Sequence, residues 1–141
     1  MAAALDADLQ GRIGRRLTVG IAGHPCLDFA SGEALVNARK ALDHAAFFGP
    51  GSRVAFDAVS LNISGDRRYE AGDLAGALAE YRRALALDPE NANVLNSIGV
   101  CHGLQGRHAE ALKVFAAAQA LTPGEVMPVY NTGVVHLLRQ D

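Results

Sequence analysis

The sequence predicts a mainly α-helical protein, a solenoid of two and a half helical hairpins preceded by a small strand–helix–strand segment. Residues 58–91 align without a gap on residues 92–125, with twelve identical positions. Each copy contains two stretches whose apolar residues recur at spacings of three and four, the period of one helix face. Self-similarity at a fixed period of this length is typical of solenoids built from small supersecondary units.

The first copy predicts two helices joined by a tight turn. The first helix covers residues 58 to about 71 and stops at Gly72 and Asp73, a helix-ending glycine followed by a helix-starting aspartate. The second helix covers residues 74–87. It ends before Pro89 because proline disfavours helical geometry at the preceding residue. The hairpin is therefore the predicted unit of the solenoid.

The second copy repeats this pattern over residues 92–125, and a third begins at Val126, places Gly133 in register and runs to residue 141. Small residues stand where the paired helices of a hairpin would touch, which allows a close approach of the helices; they are Gly65, Ala77, Gly99 and Ala111. We expect Tyr81 and Phe115 to fill the space between neighbouring hairpins.

Four short motifs occur in both copies: L-x3-G, G-[DR], A-L-x2-[YF] and A-x4-P. They resemble the tetratricopeptide repeat (TPR). The resemblance covers residues 58–141 and implies a first repeat over 58–91, a second over 92–125, and the first helix of a truncated third over 126–141. Arg68 and His102 depart from the pattern, since the family usually has tyrosine there. We expect both to weaken packing in the first helices.

The segment before Ala58 does not follow the repeat. The spacing of apolar residues and the content of β-branched residues predict a short helix over residues 2–13, a strand over 17–22, a helix over 33–48 and a strand over 53–56. The longer helix stops at Gly49-Pro50-Gly51. A strand–helix–strand segment buries too little to be stable alone. It therefore either packs on the repeats or belongs to a larger domain.

Parts of this segment resemble the C-terminal part of a GGDEF (diguanylate cyclase) domain, over residues 12–57. The similar stretches are T-V-G-I-A at 18–22, A-R-K-A-L-D-H-A at 38–45 and R-V-A-F at 53–56. The resemblance implies that residues 1–57 are an incomplete remnant without activity. The family's signature turn and metal-binding acids would precede Met1. Ala46 and Pro50 stand where the family has a phosphate-contacting lysine and arginine.

Composition and charge argue against several function classes. A net charge of −2 with scattered arginines is unlike a nucleic-acid footprint. No stretch reaches the ~20 apolar residues of a membrane span, and no signal peptide is recognisable, so we expect a cytoplasmic protein. The spacing of Cys26 and Cys101 is not that of a metal-binding motif, and we expect both thiols to be reduced. With no catalytic constellation either, we expect no enzyme activity, no cofactor and no metal.

Binding remains. The TPR resemblance implies that the first helix of each repeat lines a concave groove, whose positions are then Asn62, Asp66, Asn93, Asn96, Val100, Met127, Tyr130 and Val134. Amides suit this role because they both donate and accept hydrogen bonds. Equally, Asn62 and Asn96 could recur because they satisfy turns or neighbouring backbone groups. These positions include no Lys or Arg, which favours a neutral or basic ligand segment over a terminal carboxylate.

We therefore predict a non-catalytic interaction module that binds a peptide or helix of a protein partner in the groove. The alternative is a degenerate piece of a GGDEF–TPR signalling protein linked to cyclic di-guanylate, without cyclase activity. Both ends of the sequence look cut, and the last helix, over about residues 129–139, is apolar on more than one side. We expect either a fragment of a larger protein or a weak homodimer that covers this helix.

Overall fold

The computed structural model describes residues 16–24 and 26–139, together with Ala7 and Gly11. The helix predicted over residues 2–13 lies almost entirely outside these residues. The chain divides into two compact units, Met1–Ile63 and Ser64–Asp141. The described elements are β1 (Val19–Ile21), α1 (Ala34–Ala45), β2 (Arg53–Ala55), α2 (Ala58–Glu70), α3 (Leu74–Leu87), α4 (Ala92–Leu104), α5 (His108–Leu121) and α6 (Val126–Arg139). The predicted fold class is confirmed.

In the first unit, the two short strands pair in parallel with Gly20 opposite Val54. The connecting helix α1 packs against both strands. A Cβ atom at Gly20 would collide with the backbone of Ala38 and Leu42, so this close approach of strand and helix needs glycine. The buried apolar residues of this unit are Phe29, Ala41, Ala45, Ala58 and Leu61.

The elements of the first unit are shorter than predicted. Each strand has three residues, and the region predicted as one helix is α-helical only over Ala34–Ala45, with 3₁₀ turns at Ser31–Glu33 and Ala46–Phe48. Leu35, whose spacing helped to predict this helix, is 82% exposed. The buried side of α1 runs instead through Asn37, Ala41 and Ala45, while Leu35 borders an open depression beside β1.

In the second unit, the predicted turns are confirmed. Gly72 and Gly106 follow the first helices of the two hairpins with φ of +80° and +72°, the left-handed conformation that glycine adopts without strain. Asp73 caps α3, because its carboxylate accepts a 2.8 Å hydrogen bond from the amide of Gly76. Asn91 caps α4 in the same way through the amide of Val94 at 3.1 Å.

Large aromatic rings pack against glycines within each hairpin. A Cβ atom at Gly65 would collide with the ring of Tyr81, and one at Gly99 would collide with the ring of Phe115. Both rings are fully buried. Phe115 also clusters with Val135 of α6, so it fills the space between hairpins as predicted. The contact of each ring with a glycine of its own hairpin was not part of that prediction.

The two departures from the TPR pattern have different surroundings. Arg68 pairs with Asp73 through Nη1 and Oδ2 at 2.8 Å and approaches Oε1 of Glu80 at 3.9 Å. His102 occupies the equivalent position of the second copy and is buried, and its Nδ1 has no hydrogen-bond partner among the described residues. The positions equivalent to Asp73 and Glu80 are Arg107 and Val114. The second hairpin therefore lacks counterparts of Asp73 and Glu80, the two acids near Arg68 in the first hairpin.

The last described helix, α6, begins three residues earlier than predicted, since Pro128 lies in its first turn, where proline is tolerated. The apolar exposure predicted for residues 129–139 is found at Val129, Tyr130, Leu137 and Leu138, whereas Val135 is buried. Val126 and Met127, before the predicted start, are exposed as well. The weak homodimer stays a prediction. Within the described part of the chain, no helix combines the length and apolarity needed to cross a membrane.

Candidate functional site

Three adjacent cavities follow the first helices of the hairpins in the second unit. The Asp66 cavity, of about 180 Å³, is lined by Asp66, Tyr69, Tyr81, Asn96, Ser97 and Val100. The Asn93 cavity, of about 210 Å³, is lined by Ala92, Asn93, Asn96, Ser97, Thr122, Glu125, Met127 and Pro128. The Val134 cavity, of about 90 Å³, is lined by Gly99, Val100, Gly103, Leu104, Phe115, Asn131, Val134, Val135 and Leu138.

Neighbouring cavities share lining residues, and we call the three cavities together the groove. Asn96 and Ser97 border both the Asp66 and the Asn93 cavity, and Val100 borders both the Asp66 and the Val134 cavity. Asn93, Asn96 and Val100 are spaced by three and four residues on α4, so they share one helix face. Helix α4 therefore contributes residues to every part of the groove.

At one end of the groove, a buried tyrosine is hydrogen-bonded to an acid. The hydroxyl of Tyr81 donates a 2.7 Å hydrogen bond to Oδ1 of Asp66, and Ser97 makes a side-chain hydrogen bond to Tyr81. Burial raises the pKa of Tyr81 well above its usual range, and the hydrogen bond to Asp66 raises it further. The phenol therefore stays protonated and fixes the position of the Asp66 carboxylate.

A second polar contact joins α4 to α6. Nδ2 of Asn131 donates a 3.0 Å hydrogen bond to Oδ1 of Asn96. This contact gives the carbonyl of Asn96 a partner within the protein, and the amide N–H groups remain as its donors. Asn96 thus bonds a side chain of a neighbouring helix, a contact that the sequence did not predict, and also lines two cavities.

Six of the eight candidate residues line the groove; they are Asp66, Asn93, Asn96, Val100, Met127 and Val134. Tyr130 borders none of the three cavities and is 63% exposed on α6. Asn62 is half-buried on α2 in the first unit. The groove function of these residues stays a prediction.

Polar residues of the groove that sequence reasoning missed include Tyr69, Ser97, Thr122, Glu125 and Asn131. Ser97 and Asn131 occupy equivalent positions of successive repeats, and each directly follows a candidate position. Tyr69 lies three residues after Asp66, on the same face of α2. These spacings are signals that could have identified Tyr69, Ser97 and Asn131.

The groove contains acidic side chains but few groups suited to catalysis or metal binding. Its acids are Asp66 and Glu125, and none of the described residues that line it is Lys or Arg. Across the residues with a described position, no three side chains of His, Cys, Asp or Glu could together hold a metal ion. Burial raises the pKa of the Cys101 thiol, and the charge of Asp66 adds to this. A protonated thiol is a poor nucleophile.

The glycine and the aromatic ring that meet in each hairpin belong to the motifs L-x3-G and A-L-x2-[YF], which resemble the tetratricopeptide repeat. Residues 64–126 match the tetratricopeptide repeat. This match contains α3, α4 and α5 and all of the residues that line the Asp66 cavity. The TPR fold expected from the sequence motifs is thereby supported for this part of the chain.

Two curated relatives share part of the sequence. The photosystem I assembly protein Ycf3 of Acaryochloris marina is 34% identical over 89 residues, which cover 61% of this chain and 54% of Ycf3. The BBSome complex member BBS4 of Mus musculus is 31% identical over 78 residues, which cover 55% of this chain and 15% of BBS4. The chain thus spans about half of the length of the first relative and much less of the second.

Two solved structures share the fold. The first TPR of Spaghetti (RPAP3), bound to the HSP90 peptide SRMEEVD, has a TM-score of 0.58 at 19% identity and covers 60% of this chain and 68% of its own. The O-GlcNAc transferase of Thermobaculum terrenum has a TM-score of 0.55 at 29% identity over 57% of this chain and 15% of its own. The RPAP3 similarity concerns the fold alone. The resemblance of residues 12–57 to a GGDEF domain stays a prediction.

Proposed function

We propose that this chain is a non-catalytic interaction module that binds an extended peptide segment of a partner protein in the groove. The observation that carries the proposal is that the three cavities share lining residues on α4, which brings Asp66, Asn96 and Met127 from three helices to the groove. The match to the tetratricopeptide repeat and the peptide-bound RPAP3 structure support this choice of ligand.

The chemistry of the lining suits a peptide. Asn93 is exposed and Asn96 is half-buried, so their amides can pair with the N–H and C=O groups of an extended backbone. Met127 and Val134 provide apolar surface beside them. Methionine adapts its shape easily to different apolar side chains. Polar contacts would therefore orient the segment while apolar contacts add binding energy.

Site-specific photo-crosslinking in source cells tests this proposal. A benzophenone amino acid at Asn93 places the reactive group at the exposed edge of the groove. The same group at Gln119, which is exposed on α5 and borders none of the three cavities, is the matched control. We expect a discrete crosslinked partner from position 93 and none from position 119.

Equal crosslinking at the two positions would contradict the proposal, because it would show that contact does not depend on the groove. Absence of any adduct at position 93 would contradict it as well. The alternative prediction, a link to cyclic di-guanylate, has a separate test. Clear micromolar binding of GTP or cyclic di-guanylate by calorimetry would support that alternative instead.

A further inference from the structure

We propose that the segment bound in the groove is positively charged, with Lys or Arg side chains that reach Asp66 and Glu125. This inference rests on the proposed function and names the class of its ligand. It follows from the charge of the lining, the fixed position of one carboxylate, and the donors that α4 presents.

The charge of the lining has one sign. Asp66 borders one cavity and Glu125 borders the next. The two cavities share Asn96 and Ser97, so one ligand segment can contact both. None of the described residues that line the three cavities carries a positive charge at neutral pH. The lining therefore attracts cationic side chains and repels anionic ones.

The Asp66 carboxylate is already oriented in the absence of ligand. Tyr81 donates to its Oδ1 at 2.7 Å, and Tyr81 is itself hydrogen-bonded by Ser97 and fully buried. A carboxylate whose position is fixed loses little conformational entropy when it binds. A guanidinium or ammonium group of the ligand would gain a charge-assisted hydrogen bond there.

The hydrogen-bonding groups of the neighbouring amides also suit a basic segment. Oδ1 of Asn96 accepts from Asn131, so the N–H groups of Asn96 are what it offers to a ligand at the two cavities that it lines. These donors suit the backbone carbonyls of a bound segment, while Asp66 and Glu125 suit its basic side chains. The groove therefore differs in charge from what an acidic peptide such as SRMEEVD, held in the RPAP3 structure, would need.

The test is a selection of short random peptides displayed on phage against the intact chain, followed by affinity measurements on the enriched peptides. We expect enrichment of Lys and Arg. The enriched peptides should bind Asp66→Asn and Glu125→Gln about fivefold more weakly. They should bind Glu90→Gln as well as they bind wild type, because Glu90 borders none of the three cavities. Their affinity should also fall as salt is raised.

The outcomes separate the two proposals. Enriched peptides that lose binding in Asn96→Ala but carry no excess of Lys or Arg would overturn this inference and leave groove binding intact. Enrichment of acidic peptides, or tight binding of SRMEEVD itself, would overturn it in the same way. No enrichment, or binding unaffected by Asn96→Ala, would overturn groove binding and this inference together.

Discussion

The hydroxyl of Tyr81, on the second helix of a hairpin, donates a 2.7 Å hydrogen bond to Oδ1 of Asp66 on the first. The same ring rests against Gly65, one residue before Asp66. A single side chain thus closes the hairpin through packing and orients an acid in the groove through its polar end. Tyr81 therefore contributes both to the packing of the hairpin and to the proposed binding site.

Replacing Tyr81→Phe should lower the free energy of unfolding by about 1–2 kcal/mol, because Asp66 loses a buried hydrogen-bond donor. Chemical denaturation followed by circular dichroism measures this change. Tyr69→Phe is the control, since it removes a hydroxyl from the same cavity at a partly exposed side chain, and it should change stability by less than about 0.5 kcal/mol. Equal losses in the two variants would argue against a specific role for the Tyr81–Asp66 bond.

Replacing Gly99→Ala should destabilise the protein by about 1–3 kcal/mol, since the new methyl group collides with the ring of Phe115. Gly133→Ala provides a matched control at the same repeat position on α6, where an added Cβ meets no atom within 4 Å. There alanine should stabilise the helix by about 0.5–1 kcal/mol. Thermal unfolding of both variants checks the opposite signs, and a shared sign would contradict this account of the packing.

Replacing Arg107→Ser should stabilise the protein by about 1 kcal/mol, because serine would create the capping pattern S-x-x-E with Glu110. Asp73 caps α3, but Arg107 at the equivalent position makes no side-chain cap on α5. The lost contact between Nε of Arg107 and Oε1 of Glu110, at 3.3 Å, joins two half-exposed side chains and contributes little. A lower melting temperature in Arg107→Ser than in wild type would show that the ion pair outweighs the cap.

Stability should fall as the pH drops below about 6.5, through the protonation of His102. Burial lowers the pKa of His102, and the positive charges of Arg107 and Arg82 lower it further, against a smaller opposite effect of Glu110. Its pKa in the folded protein is therefore below the unfolded value of 6.5. The unfolded chain takes up the proton first, so acid favours unfolding between these two values.

The variant His102→Gln tests this pH dependence. Urea denaturation at a series of pH values should show a smaller loss of stability in the variant than in wild type over the range just below pH 6.5. Arg39→Gln, in the first unit at an exposed surface position, is the control and should follow wild type. Parallel curves for wild type and His102→Gln would locate the pH dependence elsewhere.

The hairpins were predictable from sequence because their signals are local. Gly72 and Gly106 end helices through their backbone conformation, and Asp73 caps the next helix through an amide three residues away. Such contacts join residues that are close in the chain, so they can be recognised from the sequence pattern. The repeat then supports each assignment a second time.

The groove was only partly predictable because its details depend on contacts between hairpins. The bond between Asn131 and Asn96 joins residues 35 positions apart, and neither residue type predicts it. The exposure of Leu35 was missed for a related reason. Helical rhythm identifies a helix, but which side becomes buried depends on the elements that pack against it.

The most direct test of the account follows the side-chain amide signals of Asn93 and Asn96 by NMR while the best basic peptide from the selection is added. We expect both signals to shift with the same affinity, together with backbone amides near Asp66 and Glu125, while the amide of Gln119 stays unchanged. Shifts confined to residues outside the groove, with Asn93 and Asn96 unaffected at saturation, would contradict the claim that this surface binds the partner.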